Sequence, residues 1–276
     1  MVEHEAGSNP RAGSPLRIVA SGTGKMGREI IAGVHGQPDM TVVGVLEKLA
    51  AGTTYTLPSG EQVPRSDDPE ALFATVRADT MVDFTFHEWT ERVAPAAVAA
   101  GVRPVIGTSG LAQHLVERLA RDCAERQVGG IIAANFALGA VLLMHLCRVA
   151  APFFDYAEVI ELHHEGKVDA PSGTALATVR EMLQARGREF RHPETTTVTL
   201  PGTRGGLEGG VSVHSVRLQG LVAHQEVIFG ALGQTLTLRH DTTSRESFLP
   251  GVLLAVRHLM TRHELILGLD RLMGLS

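Results

Sequence analysis

The segment Leu16-Arg-Ile-Val-Ala-Ser-Gly-Thr-Gly-Lys-Met-Gly27 joins a short apolar run to a glycine-rich loop. Apolar side chains at helical spacing follow in residues 26–34. Gly22, Gly24 and Gly27 fit the pattern G-x-G-x-x-G, and they stand where it is expected, between a strand and a helix. Glycines at these positions let a pyrophosphate approach the free amides of a helix N-terminus. The segment therefore predicts the first βα unit of a dinucleotide-binding fold.

A second apolar run, residues 41–46, ends at Glu47, which lies twenty residues after Gly27. An acidic residue at about this distance bonds the ribose hydroxyls of a bound dinucleotide. Lys48 follows directly and Lys25 lies in the loop, so cations are present for the 2′-phosphate of NADP. Taken alone, Glu47 and Lys48 would be a solvated strand end, but next to the glycine loop they favour a cofactor site. The sequence admits NADH and NADPH, and we expect dual use.

Apolar runs and helical patterns alternate through the first half of the chain, which predicts parallel βαβ units with right-handed connections. Ligands of such sheets bind at the carboxyl ends of the strands. Residues 107–110 and 134–136 follow two such ends and are candidate contacts, with ordinary turn chemistry as the alternative. Residues 49–80 are mostly polar and are predicted to form loops around one short helix. The predicted strands are residues 16–20, 41–46, 81–86, 103–106 and 130–134, and the predicted helices are residues 69–77, 88–100 and 111–126.

The second half begins with a long apolar helix and ends with a run of strands. No helical period interrupts that run, so mainly antiparallel neighbours are expected. An apolar helix at residues 248–260 closes the chain. The predicted elements before it are helices at 138–153 and 174–186 and strands at 157–162, 195–200, 211–218, 223–230 and 234–240.

The segment Glu161-Leu-His-His-Glu-Gly-Lys-Val-Asp-Ala-Pro-Ser-Gly-Thr174 concentrates two imidazoles, an ammonium group and a helix start. A helix start offers free amides to an anion, and Lys167 adds a full positive charge. Adjacent residues of an extended strand point to opposite faces, so His163 and His164 are expected to have different roles. An imidazole can bind a substrate oxygen or donate a proton near neutral pH. The segment predicts an anion site that has a proton donor.

The histidine pair has two other interpretations. The pair would be structural if one imidazole lay in the core and the other bonded backbone. With Glu161 or Glu165 the pair would also suit zinc, but no second cluster of His or Cys stands at ligand spacing. We expect no metal.

Composition narrows the class of protein. A chain of 276 residues favours two domains, and a net charge of −5 argues against a broad nucleic-acid surface. Cys123 and Cys147 lie in apolar helical patterns, which fits inert thiols in a reducing compartment, the cytoplasm. Residues 1–14 lack an apolar signal region and are predicted to be a disordered leader. Polar residues interrupt the most apolar stretch, residues 131–154, so no membrane span is expected.

Residues 161–175 closely resemble the signature E-x-H-H-x-x-K-x-D-A-P-S-G-T-A of the bacterial dihydrodipicolinate reductase family, also called 4-hydroxy-tetrahydrodipicolinate reductases. This motif is long and specific. Shorter matches extend the resemblance over most of the chain: Gly24-Lys-Met-Gly27, Asp83-Phe-Thr85, Gly107-Thr-Ser-Gly110, Ala134-Asn-Phe136 and Val216-Arg217.

The resemblance implies an α/β fold, with a Rossmann-like dinucleotide-binding domain and an α+β substrate domain that has an open mixed sheet. The first domain would comprise residues 15–134 and 243–276, and the second, for substrate binding and oligomerisation, residues 135–242. A homotetramer formed largely through the sheets is implied. The implied reaction is hydride transfer from NADH or NADPH to a cyclic imine dicarboxylate, in lysine and diaminopimelate biosynthesis.

The family's residue roles carry over to matching positions. His163 and Lys167 match the residues assigned to proton transfer. The substrate-carboxylate contacts match His164, Gly173 and Thr174, with Ser172 in the same turn. The cofactor contacts match Ser21, Gly22, Thr23, Gly24, Lys25, Met26, Glu47, Gly107, Thr108, Ser109, Ala133, Ala134, Asn135 and Phe136, with Lys48 at the position that meets a 2′-phosphate.

Three positions depart from the family pattern. Ser21 stands where the first loop glycine is usual, and a side chain there would crowd the pyrophosphate or alter the turn. Ser109 replaces the usual Thr and keeps the hydroxyl. His87 replaces a usual Pro, so residues 86–89 are expected to shape the cofactor site differently.

Two other functions stay open on sequence alone. One is a non-catalytic NADP-binding sensor on the same fold, and the other is a related imine or amino-acid dehydrogenase. The retained His163, His164 and Lys167 argue against a sensor, because a sensor needs no proton donor. Only Ser21 and His87 favour the altered dehydrogenase.

Overall fold

The structure, a computed structural model, describes residues 13–275. Of the predicted leader, only Gly13 and Ser14 fall inside that range. Within it the helices are α1 (Lys25–His35), α2 (Pro69–Thr75), α3 (His87–Ala99), α4 (Gln113–Arg126), α5 (Leu138–Ala150), α6 (Gly173–Arg186), α7 (Leu249–Leu259) and α8 (Leu269–Leu272). The strands are β1 (Leu16–Ser21), β2 (Met40–Leu46), β3 (Thr54–Thr56), β4 (Gln62–Ser66), β5 (Thr80–Asp83), β6 (Arg103–Ile106), β7 (Gly130–Ile132), β8 (Tyr156–His163), β9 (Gly206–Glu208), β10 (Val211–Arg217), β11 (Ala223–Ala231), β12 (Gln234–Thr242) and β13 (Leu265–Leu267).

The chain forms two compact units. Of the described residues, the first contains 13–136 and 248–275, and the second contains Ala137–Ser247. The family resemblance implies crossings at residues 135 and 243, and the compact units of the structure divide at Ala137 and Phe248. None of the helices in the described chain is long and apolar enough to cross a bilayer.

The first unit is built on a sheet in the order β13-β7-β6-β5-β1-β2-β4-β3, in which β3 alone runs antiparallel to its neighbour. The central strands are almost wholly apolar because helices cover both faces of such a sheet. On one face Trp89 and Val93 of α3 and Leu115 and Leu119 of α4 pack onto the strands as one core. The predicted Rossmann-like α/β unit is confirmed.

The strand order reverses at β1, which has β2 on one side and β5 on the other. At such a point the connections leave in opposite directions, so a crevice opens beyond the carboxyl ends of the two strands. The predicted strand 81–86 ends at Asp83, and residues 84–86 turn into that crevice instead of extending the sheet.

A hairpin of β3 and β4 occupies the region that was predicted to hold only loops and one helix. β4 pairs with β2 in parallel, with Val45 opposite Arg65 and Leu46 opposite Ser66. Sequence alone does not indicate this strand because it is short and contains Pro64. Proline lacks the N–H that a sheet ladder uses.

The second unit contains a sheet in the order β12-β11-β8-β10-β9. β8 is central, antiparallel to β11 and parallel to β10, so the sheet is mixed as expected. Its core includes Cys147 of α5, Val179 and Met182 of α6, and Val159 and Val227 of the sheet. Helices α5 and α6 both pack on the same face of this sheet.

The predicted strand at residues 195–200 is wrong, since these residues form no strand. The segment is rich in β-branched residues, but Val198 and Leu200 are exposed and no neighbouring strand is paired to it. Strand preference reflects packing on a sheet more than the backbone itself, so composition misled here. β9 holds the edge next to β10 instead.

Both cysteines are free and buried. Burial raises the pKa of the Cys123 thiol to about 11 and that of Cys147 to about 12. The reactive thiolate is therefore suppressed at neutral pH, as expected of inert thiols.

Candidate active site

A cavity of about 510 Å³ opens at the carboxyl ends of β1, β2 and β5 in the first unit. That size is ordinary for a small-molecule or cofactor site. The lining residues are Ser21, Gly22, Thr23, Gly24, Lys25, Met26, Gly27, Glu47, Lys48, Leu49, Phe84, Thr85, Phe86 and Trp89. The glycine loop and the Glu47-Lys48 pair, predicted separately from the sequence, thus line one cavity.

The glycine loop is closed to side chains at two of its positions. Gly22 has φ +86°, and a Cβ there would lie 2.7 Å from Cγ2 of Thr85. A Cβ on Gly27 would lie 2.0 Å from the carbonyl oxygen of Gly22. Gly24 is different, since a Cβ there would meet no atom within 4 Å. The loop therefore turns tightly at Gly22 and leaves open space at the N-terminus of α1, where a pyrophosphate would be bound.

Glu47 is the centre of a small charged cluster at the edge of the cavity. The Thr23 hydroxyl donates a hydrogen bond to its Oε1. Nη1 of Arg65 lies 3.5 Å from its Oε2. Beside it, Nζ of Lys48 lies 4.9 Å from the centre of the Phe86 ring, a cation–π contact. The carboxylate is thus positioned by two groups of the chain itself.

Ser21, the residue that replaces the usual glycine, turns its hydroxyl into the protein. Ser21 is 2% exposed, and its Oγ accepts a 3.1 Å hydrogen bond from Nε1 of Trp89, which is 3% exposed. The crowding expected at this position is therefore reduced, because the side chain has a buried partner. Trp89 lies in residues 86–89, the segment that contains another departure from the family pattern, His87.

Asp83, from the D-F-T match, is fully buried beneath the cavity. Hydroxyls of Thr85, Thr90 and Thr108 donate to its carboxylate, the first at 2.7 Å. Burial raises the pKa of Asp83, although these hydroxyls and that of Ser21 act in the opposite direction. The cluster joins the ends of β5 and β6 to α3.

The remaining predicted cofactor residues lie at neighbouring strand ends but are not among those that line the cavity. Gly107, Thr108 and Ser109 follow β6, and Ala133, Ala134, Asn135 and Phe136 follow β7. Thr108 is buried against Asp83. The Phe136 ring is buried, 5.2 Å from that of Phe84. Phe84 is one of the lining residues, so Phe136 reaches the cavity wall through that ring.

The second unit contains a buried acidic centre at Glu161, which is 0% exposed. Its carboxylate accepts from Nη1 and Nη2 of Arg217 at 2.9 and 2.8 Å, and from the Ser172 N–H at 3.3 Å. Nδ1 of His163 lies 2.5 Å from Oε2. One carboxylate therefore connects β8, β10 and the start of α6.

Charge and burial act in opposite directions on this centre. Burial would raise the pKa of Glu161, but hydrogen bonds from Arg217, Ser215 and His163 together hold it below its usual value. Burial lowers the pKa of His163 and outweighs Glu161, which raises it; Lys167 and Arg217 lower it further. His163 is therefore a weaker base than an ordinary histidine.

The loop after His163 is tied to the same centre. Lys167 donates to Oδ1 of Asp169 at 2.7 Å, and this contact lowers the pKa of Asp169. Nη2 of Arg217 donates to the carbonyl of Asp169 at 2.6 Å. His164 is exposed, whereas His163 is half-buried, so the two imidazoles lie in different surroundings.

The predicted carboxylate-binding turn forms the start of α6. Ser172 is buried and caps the helix, with its Oγ accepting from the Ala175 N–H at 3.2 Å. Gly173 is exposed and Thr174 half-buried at the first positions of the helix. In the described part of the chain, no group of three His, Cys, Asp or Glu side chains is arranged to hold a metal ion.

Family models match both units in turn. The N-terminal model of dihydrodipicolinate reductase matches residues 16–136, and the C-terminal model matches residues 139–273. The chain belongs to the dihydrodipicolinate reductase family. It is therefore an enzyme, an oxidoreductase that uses a nicotinamide cofactor.

Individual relatives are similar to this chain over nearly its whole length. A 4-hydroxy-tetrahydrodipicolinate reductase of Dehalococcoides mccartyi is 43% identical over 264 residues, covering 95% of this chain and 100% of the relative. The enzyme of that name from Gloeobacter violaceus is 45% identical, covering 92% and 98%. The solved structure of a dipicolinate-bound dihydrodipicolinate reductase from Paenisporosarcina sp. TG-14 matches with a TM-score of 0.83 at 36% identity, covering 93% of this chain and 99% of that one.

The residues that line the cavity fit a nicotinamide dinucleotide by their geometry and charge. The loop has a tight turn at Gly22, open space at Gly24 and the start of α1 beside it, as a pyrophosphate needs. The same cavity is lined by Glu47, Lys25 and Lys48, whose side chains are of the types that suit the ribose hydroxyls and phosphates of such a cofactor.

Sequence reasoning missed several residues of this reductase site. The sequence suggests Glu161 only as a possible metal ligand and indicates no role for Arg217. Glu161 and His163 are two apart in a strand and so share a face, a spacing that would have indicated their contact. Arg65 gave no such signal, because it reaches Glu47 through the unpredicted strand β4.

Replacing Ser21 with Ala is expected to lower the free energy of unfolding by about 1–3 kcal/mol, because the Trp89 N–H is left buried without its acceptor. In a Trp89→Phe background the same change should cost clearly less. Urea unfolding followed by circular dichroism measures both, since Trp89 is the chain's single tryptophan and its fluorescence is lost in that background. Strictly additive costs would contradict the coupling.

Replacing Glu161 with Gln is expected to lower the pKa of His163 further, because the group that raises it is removed while Lys167 and Arg217 stay. The His163 ring signal in NMR, assigned with a His163→Asn variant, reports that pKa. The control is Glu158→Gln, which breaks the separate contact of Glu158 with His214. An unchanged or raised pKa of His163 in Glu161→Gln would contradict the arrangement.

Proposed function

We propose that the chain reduces 4-hydroxy-tetrahydrodipicolinate to tetrahydrodipicolinate with NADH or NADPH, a step of lysine and diaminopimelate biosynthesis. The observation that carries this proposal is the Glu161 centre, where a buried carboxylate connects His163 and Arg217 to the loop of Lys167. A dicarboxylate substrate needs cations and free amides to bind it, and its reduction needs an acid nearby. Both are present in the signature that this chain shares with its family.

The first unit is proposed to bind the cofactor. When bound, the nicotinamide supplies the hydride. Ser21, Gly22, Thr23, Gly24, Lys25 and Met26 would surround the pyrophosphate, with Glu47 and Lys48 at the ribose that carries the 2′ group. Residues Gly107, Thr108, Ser109, Ala133, Ala134, Asn135 and Phe136 are proposed to complete the site from the ends of β6 and β7.

The second unit is proposed to bind the substrate and to supply the proton. His164, Gly173 and Thr174 would contact carboxylates, with Ser172 holding the start of α6 in place through its cap. His163 and Lys167 are assigned to proton transfer. The lowered pKa of His163 makes its protonated form a better acid, and Glu161 fixes the ring through Nδ1.

The assembly and compartment are also proposals. Helices cover one face of the second sheet, and the other presents Tyr156, Ile160, Leu162 and Ile228, all at least partly exposed. The same face also carries Glu158 and Glu226 with their ion pairs to Arg204, His214 and Arg239. We propose that this mixed apolar and charged face forms an interface of a homotetramer. Free buried cysteines fit the cytoplasm.

A coupled assay tests the reaction and the role of Lys167. The synthase that makes the unstable substrate is coupled to the purified protein, and oxidation of NADH and NADPH is followed by absorbance. We expect turnover, and Lys167→Ala should lower it by at least ~100-fold, the scale of a lost positioned acid.

The control for that variant is Arg180→Ala, which removes an exposed cation from α6 of the same unit. Near-wild-type turnover in Lys167→Ala would remove the assigned role. No turnover with either cofactor, while both still bind, would instead favour a non-catalytic sensor. Turnover only with other imines would favour a related dehydrogenase.

The two histidines should not be interchangeable. His164→Ala is expected to raise KM more than His163→Ala does, because His164 is assigned to a carboxylate contact. His163→Ala should mainly lower kcat, because its ring is assigned to proton transfer. Steady-state kinetics at several pH values measure both, and the same KM-to-kcat pattern in the two variants would contradict the division.

A further inference from the structure

We propose that Arg65 is a specificity-determining residue of the cofactor site, which lets the site accept a 2′-phosphate next to Glu47. The inference rests on the proposed cofactor site in the first unit. Lys48 and Lys25 are the cations that the sequence indicates for this task. Arg65 adds a third, from a strand that the sequence does not indicate.

The backbone fixes Arg65 at this place. β4 pairs with the end of β2, so that Arg65 lies opposite Val45. The Glu47 N–H then donates to the Ser66 carbonyl at 2.9 Å, which continues the pairing one residue past the strand. Nε of Arg65 also donates to the carbonyl of Gly52 at 3.4 Å. The guanidinium therefore lies next to Glu47 because of the sheet, not because of a flexible contact.

The charge of Arg65 acts on Glu47 directly. Its Nη1 lies 3.5 Å from Oε2, while Oε1 accepts from the Thr23 hydroxyl. The side chains of Arg65 and Glu47 are only 14% and 24% exposed. Salt screens a partly buried pair of this kind less than a surface pair. The carboxylate that bonds a ribose is thus paired with a cation before any ligand arrives.

The Arg65–Glu47 pair changes which cofactor the site can accept. An unpaired acidic residue at this position repels a 2′-phosphate and so selects NADH. With Arg65 on Glu47 and Lys48 beside it, the local charge is positive overall. A guanidinium can also bind phosphate with two parallel hydrogen bonds, which an ammonium cannot do. Glu47 can then keep its bond to a ribose hydroxyl while the cations accept the phosphate.

A purely structural role makes a different prediction. If Arg65 only braces Glu47 and the Gly52 carbonyl, its loss weakens NADH and NADPH binding alike. If it determines specificity, the loss falls on NADPH. The ratio of the two dissociation constants therefore separates the two roles, and it is unaffected by a general loss of folded protein.

The test uses cofactor binding to the full chain without substrate. NADPH and NADH are titrated separately by calorimetry into wild type and Arg65→Met, with circular dichroism to confirm the fold. We expect Kd for NADPH to rise at least ~10-fold and Kd for NADH to change less than ~3-fold, the scale of one charged hydrogen bond. Added salt should also weaken NADPH binding less in the variant.

Two further variants sharpen the result. Arg65→Lys keeps the charge without the planar fork and should retain much of the NADPH binding. Arg118→Met removes an arginine that pairs with Asp122 on the surface of α4 and should change neither Kd. Equal weakening of both cofactors in Arg65→Met, or an unchanged ratio, would overturn the inference. Failure of wild type to bind either cofactor would instead overturn the proposed function.

Discussion

The buried carboxylate of Glu161 is the constraint on which the second unit depends. Moving a carboxylate out of water costs several kcal/mol, so hydrogen-bond donors with good geometry must compensate for the loss of hydration. Here the donors come from three places: His163 on the same strand, Arg217 on β10, and the Ser172 N–H at the start of α6. These contacts connect the ends of β8 and β10 to the start of α6.

The proposed chemistry follows from the same requirement. His163 cannot turn freely while Nδ1 contacts Glu161, and Arg217 also holds the loop through the Asp169 carbonyl. Loss of one partner of a buried pair is strongly destabilising, because the other is left uncompensated. The residues proposed for catalysis are thus held by groups that need not touch the substrate.

The fold was predictable from sequence wherever local sterics or long apolar runs decided it. The glycine loop is an example, since Gly22 and Gly27 have no room for a side chain. The alternation of apolar runs and helical patterns likewise predicted the parallel sheet, because long apolar runs decide which segments form its buried strands. β4 was missed and residues 195–200 were wrongly predicted, because in both cases pairing with a neighbour decides the structure and composition does not show it.

The residues of the candidate site also fall into those that sequence predicts and those that it does not. Residues within one motif, such as Ser21–Met26 or the segment from Glu161 to Thr174, were found by their spacing. The arginines that pair with the two glutamates come from other strands. Arg217 is 56 residues from Glu161, and Arg65 is 18 residues from Glu47. Sequence shows which groups are present, but only the sheet register shows which of them meet.

The Glu47 and Glu161 centres share one arrangement, an ion pair between neighbouring strands, but the two pairs have different effects. In each, a glutamate at or beside the end of a strand is paired with an arginine from the adjacent strand. Glu161 is fully buried, so its ion pair is costly to change and serves to fix geometry. The Glu47 side chain is 24% exposed, so its pair can respond to a charged ligand at modest cost. Burial therefore determines whether the same pair acts as a rigid support, as at His163, or as a selective contact, as proposed for the cofactor phosphate.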